Sequence, residues 1–187
     1  IQLSLHRLQK KIKIPEEHTK AVEESFRTIE EEIESLRKIA TEFSEFARIP
    51  KPILEHGSIL DTIKGTASLF ESNKNNVPVK LELDASVPDC LFDPEQMKRV
   101  FINLITNGID ASRDNPLPVT VSCSSNVERS ILSISISDKG SGMDKEILDR
   151  IFDPYFTTKK DGTGLGMPII KKIIEEHQGS VNVESTP

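Results

Sequence analysis

Asp138 lies in the stretch of the chain where residue types point most directly to binding. It follows residues 131–137, in which apolar residues alternate with serines, and a period of two predicts a half-buried strand. Gly140 and Gly142 come next and permit backbone angles and close contacts that a side chain would prevent. Because a carboxylate only accepts hydrogen bonds, Asp138 could hold the exocyclic amine of adenine and would repel the carbonyl of guanine. The hexapeptide is equally typical of an Asp-containing turn that closes a hairpin.

Two side-chain amides lie one helical turn apart upstream of this turn. Asn103 and Asn107 stand in the apolar stretch 99–111, whose spacing predicts a helix and puts both amides on one face. Burying two amides in an apolar helix costs free energy unless they have partners. An amide oxygen is a hard ligand for Mg²⁺, and this ion in turn binds nucleotide phosphates.

A glycine-rich loop occupies residues 162–166, and Pro168 then fits the first turn of an apolar helix. Free amides at such a helix start, together with the helix dipole, favour phosphate. The polar stretch between Gly142 and Gly162 predicts a mobile lid over a nucleotide. Its two phenylalanines, Phe152 and Phe156, are either lid anchors or satellite core residues. Its lysines, Lys159 and Lys160, either approach phosphate or are solvated loop charges.

Taken in order, these four stretches resemble the N, G1, F and G2 boxes of sensor histidine kinases. That family belongs to the ATPase superfamily shared with gyrase, the large heat-shock chaperones and the mismatch-repair ATPases. The glycine loop fits neither the P-loop nor the dinucleotide-binding fingerprint. The resemblance implies ATP and Mg²⁺ as cofactors, with Asn103 and Asn107 as catalytic residues and Asn107 as the metal ligand. The nucleotide-binding residues it implies are Asn103, Asn107, Asp110, Asp138, Gly140, Gly142, Met143, Phe152, Phe156, Lys159, Thr163, Gly164, Leu165 and Gly166.

One position favours a kinase over an ATPase. In the superfamily's ATPases a glutamate one turn before the metal-binding Asn activates water, and here that position is Asn103. An amide cannot act as a general base, whereas a histidine ring nitrogen has its own lone pair and needs less help. We therefore expect transfer of the γ-phosphoryl group to a histidine, which passes it to an aspartate of a response regulator receiver domain. The alternative is a degenerate nucleotide-binding interaction module without kinase activity.

Residues 1–48 predict a helical hairpin. Its second helix, from about Glu16 to Arg48, carries apolar residues at alternating steps of four and three, a heptad seam that favours a homodimeric four-helix bundle. A lone amphipathic helix folded back on the catalytic domain is the alternative. The hairpin resembles the dimerisation domain of the nitrogen-regulation group of sensor kinases. The H box of that family is not in this sequence, and His6 lacks its flanking motif, so the phosphoacceptor is expected upstream.

The order of predicted elements indicates an α+β protein, a two-layer α/β sandwich that binds ATP and follows the helical hairpin. We place the hairpin at residues 1–48, a proline-containing linker at 49–57 and the catalytic domain at 58–187, with its last strand truncated. In that domain Asp93 is expected to cap the helix of the two amides, with Pro94 at its first position. Strands are predicted at 119–124 and 130–137, and a further strand at 180–184. His177, near Gly179, is expected at a helix C-terminus, where it favours the dipole. The net charge of −6 argues against nucleic acid as a partner, and two cysteines suggest a reducing compartment. No apolar run predicts membrane contact. We expect a cytoplasmic fragment, and the full-length protein is either cytoplasmic as well or anchored in the inner membrane.

Overall fold

The computed structural model describes residues 16–187 except 48, 74, 114, 115, 127, 129, 160 and 161. The first arm of the predicted hairpin and His6 therefore lie outside the described residues, as does Lys160. The chain divides into two compact units. One holds the first helix and the loop Thr157–Thr163, and the other holds Ile49–Phe156 and Gly164–Pro187.

Helix α1 spans Glu16–Ala47 and confirms the long helix that the heptad pattern predicts. Val22, Phe26 and Ile33 on its seam are half-buried. Further along the same seam Leu36 and Phe43 are exposed to 64% and 52%. A seam of this kind is normally covered in a bundle, so α1 retains an apolar stripe within the described residues.

The second unit contains two small sheets. In the larger one β2 (Val79–Leu83) is parallel to β4 (Val119–Asn126), and β4 is antiparallel to β5 (Ile131–Ser137). Val79 faces Val119 across the parallel pair, and the alternating burial of β4 puts its valines in the core. This alternation is the pattern of a sheet with one covered face.

The smaller sheet pairs β1 (Glu55–Gly57) with β3 (Cys90–Phe92) in antiparallel register. The sequence placed residues 55–57 in the linker and did not predict a strand at 90–92. Glu55 faces Phe92 and Gly57 faces Cys90. The end of the expected linker is therefore fixed in the second unit by main-chain hydrogen bonds rather than free as a hinge.

The helices in the described part of the second unit are α2 (Ile59–Ala67, followed by a 3₁₀ turn at Ser68–Phe70), α3 (Pro94–Ala111), α4 (Lys145–Arg150) and α5 (Gly166–Glu176). Asp93 caps α3 with its carboxylate and Pro94 occupies the first turn, as predicted. Helix α2 packs on α3, and α3 packs on α5 and on strands β4 and β5. The α+β expectation is thus confirmed.

The predicted strand at 180–184 is wrong, because residues 179–187 form no helix or strand. This segment instead contacts the loop after β5, where the Met143 amide donates to the Ser185 hydroxyl at 2.9 Å. In the part of the chain that the structure describes, no helix is long and apolar enough to cross a membrane.

Candidate nucleotide site

Helix α3 presents the two amides. Its core face carries Phe101 and Ile105, which are 1% and 0% exposed, and this burial sets the rotation of the helix. Asn103 and Asn107 are consequently half-buried on the adjoining face. The Asn103 Nδ2 donates to the Arg99 carbonyl at 3.0 Å, one turn back in the same helix.

The amide pair meets the start of α5. The Asn107 Nδ2 donates to the Met167 Sδ at 3.8 Å. The Asn103 Oδ1 lies 3.7 Å from the place where a Cβ on Gly166 would be. Both side-chain nitrogens thus donate within the protein, and amide oxygens are the ligand type that Mg²⁺ takes.

The start of α5 offers main-chain donors at this place. Leu165, fully buried, precedes the helix and makes no side-chain cap, so the first amides of α5 have no partner from a capping side chain. The helix dipole adds a partial positive charge there. The donor set of two amides and a helix start fits a phosphate group with its Mg²⁺. Among the described residues no cluster of three or more His, Cys, Asp or Glu side chains forms an alternative metal site.

Asp138 lies beside the same helix, at the end of β5. Its Cβ is 3.4 Å from the position of a Cβ on Gly108, the residue after Asn107. Its Oδ1 accepts a hydrogen bond from the Gly140 amide at 2.9 Å. This contact forms the Asp-containing turn that the sequence predicts as the alternative to an adenine contact. Oδ2 accepts no hydrogen bond from the described part of the chain. The carboxylate is exposed, so the turn and a contact with a ligand are compatible.

The two glycines after Asp138 make tight contacts. A Cβ on Gly140 would lie 2.5 Å from the Ala111 carbonyl carbon and oxygen, and the Ser141 amide donates to that oxygen at 3.3 Å. Gly142 has a φ of +67° and its Cα faces the Thr186 carbonyl, with no room for a side chain. These contacts hold the loop, including Met143, between the end of α3 and the C-terminal segment.

Asp110 lies one turn beyond Asn107 and is half-buried. Its carboxylate is 3.6 Å from the Arg113 guanidinium, an ion pair within one turn of chain. This contact is typical of a local structural role, and the nucleotide contact expected of Asp110 stays a prediction.

The two phenylalanines of the predicted lid each form a cation–π contact. The Arg150 guanidinium stands 4.1 Å from the centroid of the Phe156 ring, and the Lys171 Nζ stands 5.4 Å from that of Phe152. Such contacts stabilise by about 0.5–1 kcal/mol at exposed sites. Both rings are half-buried, so in this structure they anchor the segment at the base of the predicted lid.

The sequence did not point to Tyr155, which forms a main-chain hydrogen bond at the base of the predicted lid. Its φ is +67°, a region that non-glycine residues rarely adopt. Its amide donates to the Gly164 carbonyl at 3.0 Å, and Gly164, at φ +68°, packs against the backbone of Tyr155 and Phe156 without space for a Cβ. Positive φ at a tyrosine gives no signal in the sequence, since it depends on this pairing.

The loop Thr157–Thr163 belongs to the other compact unit. The Lys159 amide donates to the Thr157 hydroxyl at 3.1 Å, and the Gly162 amide donates to the Lys159 carbonyl at 3.2 Å. These local hydrogen bonds link Thr157, Lys159 and Gly162. The nucleotide contacts predicted for Lys159 and Thr163 stay predictions.

Comparison with known proteins identifies the family. Residues 92–187 match the family described as histidine kinase-, DNA gyrase B- and HSP90-like ATPase. Sporulation kinase E of Bacillus subtilis is 35% identical over 163 residues, which are 86% of this chain and 22% of that protein. Nitrogen regulation protein NtrY of Azorhizobium caulinodans is 30% identical over 192 residues, 100% of this chain and 25% of that protein. The chain thus spans about a quarter of the length of these relatives.

Solved structures have the same fold. Full-length ShkA, crystallised with AMPPNP, superposes on this chain with a TM-score of 0.68 and is 19% identical to it. The match covers 91% of this chain and 36% of ShkA. Histidine kinase ThkA, in complex with response regulator protein TrrA, has a TM-score of 0.64 at 25% identity, covering 94% of this chain and 49% of that one. The catalytic domain of ThkA has a TM-score of 0.57 at 29% identity, covering 66% of this chain and 80% of that one. The chain therefore belongs to the histidine kinase-, DNA gyrase B- and HSP90-like ATPase family and contains, within residues 92–187, a catalytic ATPase domain of the histidine kinase type.

Proposed function

We propose that this chain is the catalytic region of a sensor histidine kinase, which binds ATP with Mg²⁺ and phosphorylates a histidine upstream of Ile1. The observation that supports this most is the meeting of Asn103 and Asn107 with the first residues of α5, while Asp138 lies beside Gly108 on the same helix. The Asp138 carboxylate, an acceptor for a purine amine, and the first amides of α5, donors for phosphate, thus both lie beside α3.

In this proposal each group of the chain has a defined task. The Asp138 carboxylate accepts from the exocyclic amine of adenine. The first amides of α5 donate to the phosphates, and Asn103 and Asn107 orient the triphosphate through their side-chain oxygens. A bound Mg²⁺ supplies charge neutralisation, and Asn107 is the residue that holds it.

The transfer itself needs little covalent chemistry from the protein. The lone pair of an imidazole nitrogen forms the new N–P bond as the bond from the γ-phosphorus to the ADP oxygen breaks. Asn103 cannot remove a proton, so a water molecule in the same place is not activated. This supports slow ATP hydrolysis beside transfer to histidine.

The complete protein is proposed to pass the phosphoryl group to the aspartate of a receiver domain. Support comes from ThkA, a histidine kinase whose structure was solved with the response regulator protein TrrA. We propose further that α1 dimerises through its apolar stripe, that this fragment works in the cytoplasm, and that any membrane anchor lies elsewhere in the full-length protein.

Phosphorylation of an extended chain tests this proposal. A chain lengthened upstream to include the H box should acquire acid-labile phosphate from labelled ATP, whereas the 187-residue chain should bind ATP without labelling. Asn107→Ala should abolish labelling. Thr106→Ala, an exposed neighbour on α3, is the matched control and should leave labelling unchanged.

Two results would contradict the proposal. Phosphate on His6 of the 187-residue chain would place the acceptor inside this sequence. Tight ATP binding without any phosphate on the added H-box histidine would favour the degenerate nucleotide-binding module.

A further inference from the structure

The start of α3 and the end of α5 are joined by a histidine. The Asp93 amide donates to the His177 Nε2 at 3.0 Å, and the His177 Nδ1 lies 2.8 Å from the Ile173 carbonyl oxygen. A ring nitrogen that accepts a hydrogen bond carries no proton, so this network assigns the proton of a neutral imidazole to Nδ1. His177 lies at the C-terminus of α5, as expected, and its ring in addition links two helices.

Asp93 also receives the chain that enters the domain. Its Oδ1 accepts from the Gln96 amide at 3.0 Å and caps α3, while its Oδ2 accepts from the Ile53 amide at 2.9 Å. One turn into α3, the Gln96 Nε2 donates to the Pro50 carbonyl at 3.0 Å. Asp93 is 8% exposed. The entering segment 50–53 is consequently tied to the same point as the two helices.

The opposite end of this helix pair is the nucleotide site. The distance along α3 from Asp93 to Asn103 is about 15 Å, and that along α5 from Gly166 to His177 is about 16 Å, at 1.5 Å per residue. The antiparallel helices thus contact at Asp93 with His177 and at the amide pair with Gly166 and Met167. Sliding one helix along the other breaks one of these contacts.

We propose that Asp93 and His177 form a latch that keeps α3 and α5 in register and makes both of them positioning residues for the nucleotide site. Through the Ile53 amide the latch also joins the entering segment to the helix that carries Asn103 and Asn107. A displacement of that segment is thereby transmitted to the spacing between the amide pair and the first turn of α5. This inference rests on the proposed function for its ligand, though its geometry does not depend on nucleotide.

Nuclear magnetic resonance of the chain labelled at methionine methyl groups tests the latch. The Met167 methyl reports on the α3–α5 contact without nucleotide, because the Met167 Sδ accepts from Asn107. His177→Phe removes the acceptor, and His177→Gln replaces it with an amide oxygen. Ser58→Ala removes the cap that Ser58 gives to α2, in the same unit but away from the latch, and is the control for a purely structural loss.

The latch predicts a specific set of results at a temperature where every variant is folded. The unaltered ring should show the Nδ1–H tautomer in ¹⁵N spectra. His177→Phe should shift the Met167 methyl and weaken ATP–Mg²⁺ binding about tenfold or more, and His177→Gln should restore both to within about threefold. Ser58→Ala should lower the melting temperature without changing the Met167 methyl signal or the affinity for ATP–Mg²⁺.

An Nε2–H tautomer, or a Met167 methyl that is unmoved in His177→Phe, would overturn the latch. Loss of affinity in Ser58→Ala equal to that in His177→Phe would overturn it as well. If the unaltered chain binds no ATP, the proposed function fails, and the methyl response with its recovery in His177→Gln still decides the latch.

Discussion

Single atoms set the shape of the loop between Asp138 and Met143. Gly140 has no side chain where a Cβ would lie 2.5 Å from the Ala111 carbonyl group, whereas Gly65 in α2 has nothing within 4 Å of that position. The two glycines therefore differ in what a methyl group meets. Packing requires a glycine at position 140, whereas Gly65 lowers the stability of α2 relative to an alanine at the same place.

Gly140→Ala and Gly65→Ala should change stability in opposite directions. Overpacking against α3 should lower the free energy of unfolding by about 1–3 kcal/mol in Gly140→Ala. The better helix propensity of alanine should raise it by up to about 1 kcal/mol in Gly65→Ala. Urea denaturation of both variants measures the difference, and equal effects would show that the loop does not contact α3 as described.

Asp138→Asn should weaken ATP binding about tenfold or more, because an accepting oxygen of the carboxylate becomes a donor. The remaining oxygen can still accept from the Gly140 amide, so the turn should persist. Asp144→Asn makes the same change at the cap of α4 and serves as the control. A fluorescent-nucleotide titration measures both, and unchanged affinity in Asp138→Asn would remove this residue from the pocket.

At this scale the sequence pointed to residues with an unusual local setting and not to residues defined by distant partners. Asn103 and Asn107 stood out as two amides in an apolar helix, and Asp138 as a carboxylate between a predicted strand and two glycines. The structure brings the two amides to the start of α5, and their roles in binding stay predictions. Tyr155 and His177 carry no such signal. Their roles depend on hydrogen bonds to Gly164 and Asp93, and the second of these pairs is separated by 84 residues in sequence.

At the scale of elements, α3 is the helix on which the site depends, and its capping carboxylate is sensitive to pH. Burial acts to raise the pKa of Asp93, whereas the Gln96 and Ile53 amides that donate to its carboxylate act to lower that pKa. The Glu95 amide acts in the same direction, and the net result is a lowered pKa.

The stability that Asp93 contributes should be present above the unfolded-state pKa of about 3.9 and lost as pH falls through the folded-state value. Asp93→Asn keeps one accepting oxygen, and its stability should lack this dependence. Urea denaturation from pH 7 to pH 3 should therefore show a difference between the two chains that is constant above about pH 5 and shrinks below about pH 4. A difference that persists unchanged to pH 3 would contradict the described hydrogen bonds.

Periodicity predicted the longer elements and failed for the short ones. Strands β4 and β5 and the start of α3 carry clear alternation or capping signals, and they were predicted to within a few residues. The three-residue strands β1 and β3 were missed because so few residues show no period, and only their mutual pairing makes them strands. Residues 180–184 alternate like a strand but pair with no strand among the described residues. Alternation alone does not make a strand, because pairing depends on a neighbouring strand.

At the scale of the whole molecule, the apolar stripe of α1 needs a partner. Ile29, Leu36 and Phe43 are exposed to 43%, 64% and 52% in this chain alone. Heptad spacing of such residues favours association with other helices. The proposed partner is α1 of a second copy, in a bundle with the preceding helical arms.

Leu36→Glu should convert a dimer into a monomer, because it places a charge in the seam. Thr41→Glu introduces the same side chain at an exposed position well away from the seam and should leave the dimer intact. Sedimentation equilibrium distinguishes the two states. A chain that is monomeric before any substitution would contradict the proposed bundle.

The proposed kinase needs its nucleotide to lie between Asp138 and the start of α5. A crystal structure of the chain with ADP and Mg²⁺ measures this directly. We predict the exocyclic nitrogen of adenine within about 2.7–3.2 Å of the Asp138 carboxylate, with the phosphates at the first amides of α5 and the metal at the Asn107 oxygen. A nucleotide bound elsewhere, or an Asp138 carboxylate that makes no contact with the base, would contradict the account.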